Sequence, residues 1–369
     1  MDFKQKAKKF FKMKGLVSLS LQYAAAIVLL TSVLVGTNIA YGFEQEINSV
    51  LAKPIIDEKA YDKSSVDGQK MSARIMEEGS VLLQNKDNVL PLSTENTPKV
   101  NVFGWHSIDW LYGTGGDQVG SGGVLPEDDD FDKNIDFYKA LDNYGIDYNA
   151  DLKNMYYNYF KPFNLGRGLK VGNISEAQKL VEPDIEDKSY YSDELLEKAK
   201  SYSDTAIMVI SRLSGEGGGN PGYQPKTGPK GESKDNERHY LEISVEEEKL
   251  LTYLGKNFDK VIVLINNCNQ MELGKIETIE GVDACLYVGY TGTRGAVSIP
   301  KLLYGEVSPS GRTVDTFAYD LYTNPSIIWS EPVWADSSYL DKVAGIYIGY
   351  KWYETADEMG LWSSMNGYA

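Results

Sequence analysis

The chain has 369 residues, 42% of them hydrophobic, enough for about two domains with folded cores. Its formal net charge is −16, but six lysines against one aspartate put the first 14 residues at +5 and leave the remainder at −21. So acidic a body repels phosphate backbones and argues against nucleic-acid binding, and 2 histidines with 2 cysteines cannot build a histidine-rich metal site.

Residues 1–14 form a basic tail, and 15–43 then contain no charged side chain. A predominantly apolar helix of roughly 20 residues crosses a bilayer, so 15–42 is expected to be one transmembrane signal anchor. Lysines before it and Glu44 and Glu46 after it orient the tail to the cytoplasm. This predicts a single-pass protein of the cell membrane with an extracytoplasmic body. A cleaved signal peptide has an apolar region of about 7 to 15 residues and a small-x-small cleavage site, which Asn38-Ile39-Ala40 matches poorly. The polar stretch 43–68 has no clear period and is expected to be a stalk.

From 69 onward, helical and strand patterns alternate. A helix is expected over 69–78. Strands are expected at 100–103, 205–210, 261–265 and 284–288, all short, apolar and β-branched, as strands buried on both faces are. Helices are expected at 132–143, 192–202, 245–257 and 294–304, the third opened by Ser244 as N-cap with Glu247 three residues later as a capping box. The alternation predicts an α/β fold, a mainly parallel sheet with helices on both faces. Glycine runs at 113–116 and 120–123 invite a phosphate-loop reading, but they lack a Gly-Lys-Ser/Thr ending and the dinucleotide spacing. Cys268 follows one expected strand and Cys285 lies in the next; they read either as two small core residues or, on an oxidising side, as a disulfide. A Ser-His-Asp constellation would have to use His106 or His239, and His239 reads as part of a solvated approach to a helix.

The segment ISRLSGEGGG (210–219) carries the most chemistry. It places Glu216 on a glycine-rich loop straight after the apolar run 205–210. Glycines there permit backbone angles that side chains forbid, and the C-terminal edge of an open α/β sheet is where ligands bind. A carboxyl so presented can donate or accept a proton, although a plain strand-to-helix connection has the same pattern. The stretch 217–238 that follows has almost nothing apolar, and an insertion of that length beside Glu216 reads as a lid or substrate-facing loop.

Four further stretches stand in order around it. SVLLQNKDNVLPL (80–92) resembles the opening motif "VLLKN…LPL" of the sandwich-type second domain of glycoside hydrolase family 3. VNVFG (100–104) with the glycine runs resembles that domain's first strand and a loop near its sugar site. VIVLINN (261–267), through YVGYTG (287–292) to LYGEVSPSGR (303–312), resembles the region ending "LLFGDVNPSGRL", and GIYIGYKWYET (345–355) is similar to "GLYVGYRYYET". SGEG itself resembles the acid/base loop of some members. The likeness covers 69–355.

The resemblance implies an (α/β)6-sandwich domain behind the anchor and a retaining β-glucosidase-like activity, with Glu216 as the catalytic acid/base and an oligosaccharide or β-glycoside as substrate. It implies no cofactor and no metal. The family's Asp-Arg pair follows the acidic loop closely, whereas Asn236-Glu237-Arg238 comes late here, so Glu232 and Glu237 stay open as alternatives. The family's nucleophile is an Asp in an "SDW"-like motif on a separate (β/α)8 barrel. Ile108-Asp109-Trp110 imitates that motif, but its setting matches the sandwich's own first strand, so Asp109 reads as a loop residue. An anchor, this sandwich and a barrel of about 250 residues exceed the chain. A missing barrel is therefore expected, in the permuted order in which the sandwich comes first, with 356–369 as the start of a linker to it. The competing class is a membrane-anchored module that binds a carbohydrate or partner without catalysis.

Overall fold

The computed structural model describes residues 2–44, 57–113, 135–161, 181–212, 238, 240–320, 323 and 345–361. The chain divides into two compact units, Met1–Ser64 and Ser65–Ala369.

The first unit contains α1 (Phe3–Gly42), 40 residues with none buried. Its most apolar 18-residue window has a mean hydropathy of 1.9. At about 1.5 Å per residue, the uncharged stretch exceeds the ~30 Å hydrocarbon thickness of a bilayer. Its polar side chains are satisfied within the helix: the hydroxyls of Ser20, Thr31 and Thr37 donate to Leu16, Ile27 and Val33 carbonyls at 2.9, 2.8 and 2.8 Å, and Asn38 donates to the Leu34 carbonyl at 2.8 Å.

Helix α2 (Glu58–Gly79) starts well before the expected residue 69. Asp57 caps it, its carboxylate accepting the Lys59 and Ala60 amides at 3.1 and 3.2 Å, and Lys59, Ala60 and Lys63 favour helix. The aperiodic reading of 43–68 therefore does not extend through 58–68. The last turns of α2 belong to the second unit, where Met76 enters the core and the Ala73 carbonyl accepts from Ser298.

Among the described residues the second unit has six strands: β1 (Val81–Asn85), β2 (Lys99–Phe103), β3 (Asp147–Tyr148), β4 (Thr205–Ile210), β5 (Lys260–Ile265) and β6 (Ala284–Tyr287). Their order across the sheet is β1-β6-β5-β4-β2-β3. The four strands expected from sequence form the parallel centre, β6-β5-β4-β2. Every residue of β4 is buried, as are 261–265 of β5. Because successive side chains point to opposite faces, this means both faces are covered. The edges are additions. β3 has two residues and continues the parallel run, whereas β1 pairs antiparallel with β6 and makes the sheet mixed.

Seven helices of this unit are described: α3 (Phe137–Tyr144), α4 (Ala150–Phe160), α5 (Asp193–Tyr202), α6 (Val245–Asn257), α7 (Gly274–Thr278), α8 (Ser298–Leu303) and α9 (Tyr350–Glu358). Helix α3 packs on α8, while α4 and α5 pack on β2 and on each other. Side-chain caps set several starts: Asp136 accepts the Lys139 amide at 2.8 Å, Asn149 accepts those of Asp151 and Leu152, and Ser192 accepts that of Leu195. The capping box expected at Ser244 and Glu247 is present. The helix expected over 294–304 is shorter than predicted, a 3-10 turn at Gly295–Val297 leading into α8.

Candidate active site

Strand β4 delivers the chain to the C-terminal edge of the sheet, in register with β5 from Thr205 opposite Lys260 to Ile210 opposite Ile265. There the backbone is fastened. The Ser211 hydroxyl donates to the Asn266 carbonyl, and the Asn269 side chain donates to the Arg212 carbonyl at 3.1 Å.

Arg212, two positions past the end of β4, is a charged side chain only 4% exposed. An unpaired charge there would be strongly destabilising. Its guanidinium is fully engaged: Nε donates to the Tyr240 carbonyl at 2.6 Å, Nη1 to the Ser211 carbonyl at 2.7 Å and Glu247 Oε1 at 2.9 Å, and Nη2 to the Glu242 carbonyl and Glu247 Oε2, the latter at 2.6 Å. Burial works most strongly against its charge, but the Glu247 carboxylate, together with Tyr240 and Glu242, more than offsets it and holds its pKa above the ordinary arginine value.

Glu216, Glu232, Glu237 and His239 lie outside the described residues. What the structure fixes is the two ends of the stretch that contains them. The chain leaves β4 at Arg212 and is described continuously again from Tyr240, whose carbonyl Arg212 binds. Arg238 adds a second tie, donating to the Ile243 carbonyl at 2.9 Å and pairing with Glu248 at 2.5 Å.

The neighbouring strand end, after β2, is equally constrained. Gly104 has φ +92°, and a Cβ there would stand 2.2 Å from the Val209 carbonyl oxygen, so only glycine fits where β2 closes on β4. A 3-10 turn, Trp105–Ser107, follows. Its first amide donates to Glu182 Oε2 at 2.9 Å, and Glu182 Oε1 accepts the hydroxyls of Tyr156 and Tyr191 at 2.9 and 2.8 Å. Burial raises the Glu182 pKa to about 7, partly offset by the Trp105 amide and the two tyrosines. His106 is pushed down to about 3 by burial and by the Arg212 charge. It is a neutral imidazole near pH 7 and cannot act there as a cationic acid.

Asp109 is 8% exposed and sits on this turn, its amide donating to the Trp105 carbonyl at 3.3 Å. Trp110 is fully buried and donates to Thr291 at 2.9 Å. Asn266, at the end of β5, accepts the Leu111 amide at 2.8 Å and donates to the Leu111 and Gly289 carbonyls at 3.0 and 2.8 Å. These bonds fix the approach to the glycine runs, of which Gly113 is described and 114–123 are not. Next to Asn266, the fully buried amide of Asn267 has no hydrogen-bond partner among the described residues.

The cysteines divide. Cys285 is buried in β6, and burial raises its thiol to about 12; Cys268 is exposed, and both are free. The core reading holds for Cys285 alone. Among the described residues no three His, Cys, Asp or Glu side chains gather to hold a metal ion.

Sequence reasoning missed Arg212, Glu182 and Asn267 as parts of this edge. For Arg212 a signal existed, since a charged residue two positions past the buried run 205–210 is rarely buried without a partner. Glu182 offered none.

The family model described as "Glycosyl hydrolase family 3 C-terminal domain" matches residues 80–350. Beta-glucosidase A of Butyrivibrio fibrisolvens is 29% identical over 287 residues, covering 75% of this chain and 31% of the relative. A beta-glucosidase of Ruminococcus albus is 30% identical over 291 residues, covering 77% and 26%. The chain thus spans about a third or less of the length of these relatives. Among solved structures, a beta-glucosidase from Paenibacillus barengoltzii superposes with a TM-score of 0.59 at 26% identity, over 78% of this chain and 27% of that one. Beta-glucosidase 3B from Thermotoga neapolitana shares the fold, with a TM-score of 0.58 at 24% identity over 78% of this chain and 36% of that one.

Proposed function

Because the chain belongs to glycosyl hydrolase family 3 and carries that family's C-terminal domain, we propose that it supplies the acid/base half of a retaining β-glucosidase-like exo-enzyme, held at a membrane by α1. Glu216 protonates the departing glycosidic oxygen as the anomeric carbon is attacked. It then takes a proton from the water that releases the glycosyl-enzyme. The attacking carboxylate stands about 5 to 5.5 Å away in a retaining enzyme and comes from a (β/α)8 barrel outside this chain. Asp109 does not serve as that nucleophile, because it is embedded in the turn that ends β2. The substrate is a β-glycoside or oligosaccharide, and proton transfer to and from carboxyl groups needs no cofactor.

The observation that carries this reading is the fastening of β4 at its C-terminal edge. Arg212, four positions before Glu216, is immobilised by five donated hydrogen bonds, which gives a rigid base to a loop that resembles the family's acid/base loop. The membrane part is supported by the uncharged, wholly exposed length of α1 and the lysines at its start.

Azide tests the proposal. With the chain joined in frame to a family 3 barrel, Glu216→Ala should leave the glycosyl-enzyme stranded for want of a base, and azide, which needs none, should restore turnover and yield a β-glycosyl azide. Failure of azide to change either rate or product contradicts the assignment.

A further inference from the structure

A cleft of about 890 Å³ runs along β1, lined by 83–86, by α7 and by 313–319 with the first turns of α9. Its size lies within the roughly 300–1,000 Å³ of small-molecule sites, and β6 and β5 stand between it and β4. Local bonds hold the lining in place. Gln84 donates to the Val282 carbonyl at 2.8 Å and Lys86 to the Glu277 carbonyl at 2.7 Å. Tyr319 lies on Gly274, where a Cβ would stand 2.1 Å from its ring, and its hydroxyl donates to Glu277 Oε2 at 2.5 Å. Asp315 Oδ1 accepts the Thr316 and Tyr350 amides at 2.8 and 3.0 Å, which joins 313–319 to α9. Two groups are left for a ligand. The Tyr350 hydroxyl and the Glu354 carboxylate, one helical turn apart on the same face, make no hydrogen bond or ion pair among the described residues, and Tyr350 is 53% exposed.

The chemistry of the lining selects among ligands. Lys86 faces three carboxylates, Glu277, Asp315 and Glu354, so phosphates and acidic sugars are disfavoured. Glu277 and Asp315 are already engaged within the fold, and among the described residues no three acidic, His or Cys side chains gather to hold a metal ion. An added β-strand fits poorly. β1 has a register shift between Leu82 and Gln84, the Gly311 amide already takes the Ser80 carbonyl at 3.0 Å, and Lys86 follows the strand's last residue, all of which discourage edge pairing. An exposed tyrosine ring beside a free carboxylate suits a pyranose, which offers a C–H face to the ring and hydroxyls to the carboxylate. We propose that this cleft binds an uncharged, β-linked gluco-oligosaccharide, stacked on Tyr350 and hydrogen-bonded to Glu354. Of the lining carboxylates only Glu354 is free, so the cleft holds sugar without the carboxylate pair that cleaves it. The β linkage rests on the substrate class proposed above; the cleft does not.

The test is hydrogen exchange on the full chain in lipid nanodiscs, free of sugar-headed detergent, titrated with cellotetraose. Maltotetraose serves as the α-linked control and an alternating Thr/Val hexapeptide as the strand probe. Cellotetraose should slow exchange at 83–86, at 313–319 and in the first turns of α9. Tyr350→Ala should weaken the apparent Kd read at these amides by on the order of tenfold, and Glu354→Gln by a few-fold, since a neutral acceptor makes the weaker hydrogen bond. Both side chains are exposed, so exchange in β4 and β5 without ligand should stay as in wild type. Absence of protection by either sugar, or protection undiminished in Tyr350→Ala, overturns the proposal. Protection by the hexapeptide alone overturns it in favour of strand docking, and protection by maltotetraose alone overturns the β-linked ligand. The readout is binding at this cleft, so it stands whether or not Glu216 proves to be the acid/base, and Glu216→Ala should bind cellotetraose here as wild type does.

Discussion

The Glu247 carboxylate serves two elements at once: its Oε2 accepts the Ser244 amide at 2.7 Å, closing the capping box of α6, and the Arg212 guanidinium at 2.6 Å, closing the end of β4. Its Oε1 accepts a second Arg212 donor at 2.9 Å. Helix start and strand end therefore share one side chain.

Glu247→Ala should destabilise the second unit by ~3–5 kcal/mol in denaturant titration, because it leaves the Arg212 charge buried without its counter-ion. Losing the cap alone typically costs only about 1 kcal/mol. Glu247→Gln keeps an acceptor for Ser244 and should fall between wild type and Ala. A loss under about 1 kcal/mol for Ala would mean that Arg212 is not dependent on this partner.

Glu182 makes stability depend on pH. Burial raises its folded-state pKa from 4.5 to about 7, so the fold retains a proton that the unfolded chain releases. Its contribution is fully present below pH 4.5 and is lost as pH rises to about 7. Wild type should therefore lose on the order of 3 kcal/mol relative to Glu182→Gln across that window and run parallel to it above. The measurement is the difference in unfolding free energy between the two proteins from pH 4 to 8. A difference that does not change with pH would show that Glu182 titrates normally.

The membrane role proposed for α1 predicts a topology. Membrane fractions should hold the full-length chain, and protease added outside should remove the acidic body while sparing the basic tail. Recovery of a soluble form beginning near Tyr41 would show that 15–42 is cleaved as a signal peptide.

The parallel centre of the sheet was legible because its strands are buried on both faces, and continuous apolar β-branched runs such as 205–210 and 261–265 record that directly. The Ser244 to Glu247 cap was legible because its partners are three residues apart. Where the partner is distant the sequence is silent. Glu182 reads as one acid among many, since the Trp105 amide it accepts lies 77 residues away. Strand β1 is half-buried and takes its direction from pairing with β6, and β3 is two residues long, too short for any period. Of the site, the end of β4 at the sheet edge was readable from the apolar run 205–210. The place of Arg212 just past 205–210 hinted that it would be buried against a partner, but its partners were not readable, because three of its five hydrogen bonds go to backbone carbonyls, which no residue type encodes.

The most direct test of the account is the leaving-group dependence of Glu216→Ala in the chain joined in frame to a family 3 barrel. General-acid help contributes about 10²–10⁴-fold where the departing oxygen needs a proton, and activated aryl glycosides depart nearly unaided. Glu216→Ala should therefore slow alkyl glycosides by that factor and leave glycosyl-enzyme formation from activated aryl glycosides close to the wild-type rate. Wild-type behaviour of Glu216→Ala on alkyl glycosides, with the same dependence appearing instead in Glu232→Ala or Glu237→Ala, would contradict the assignment and move the acid further along the chain.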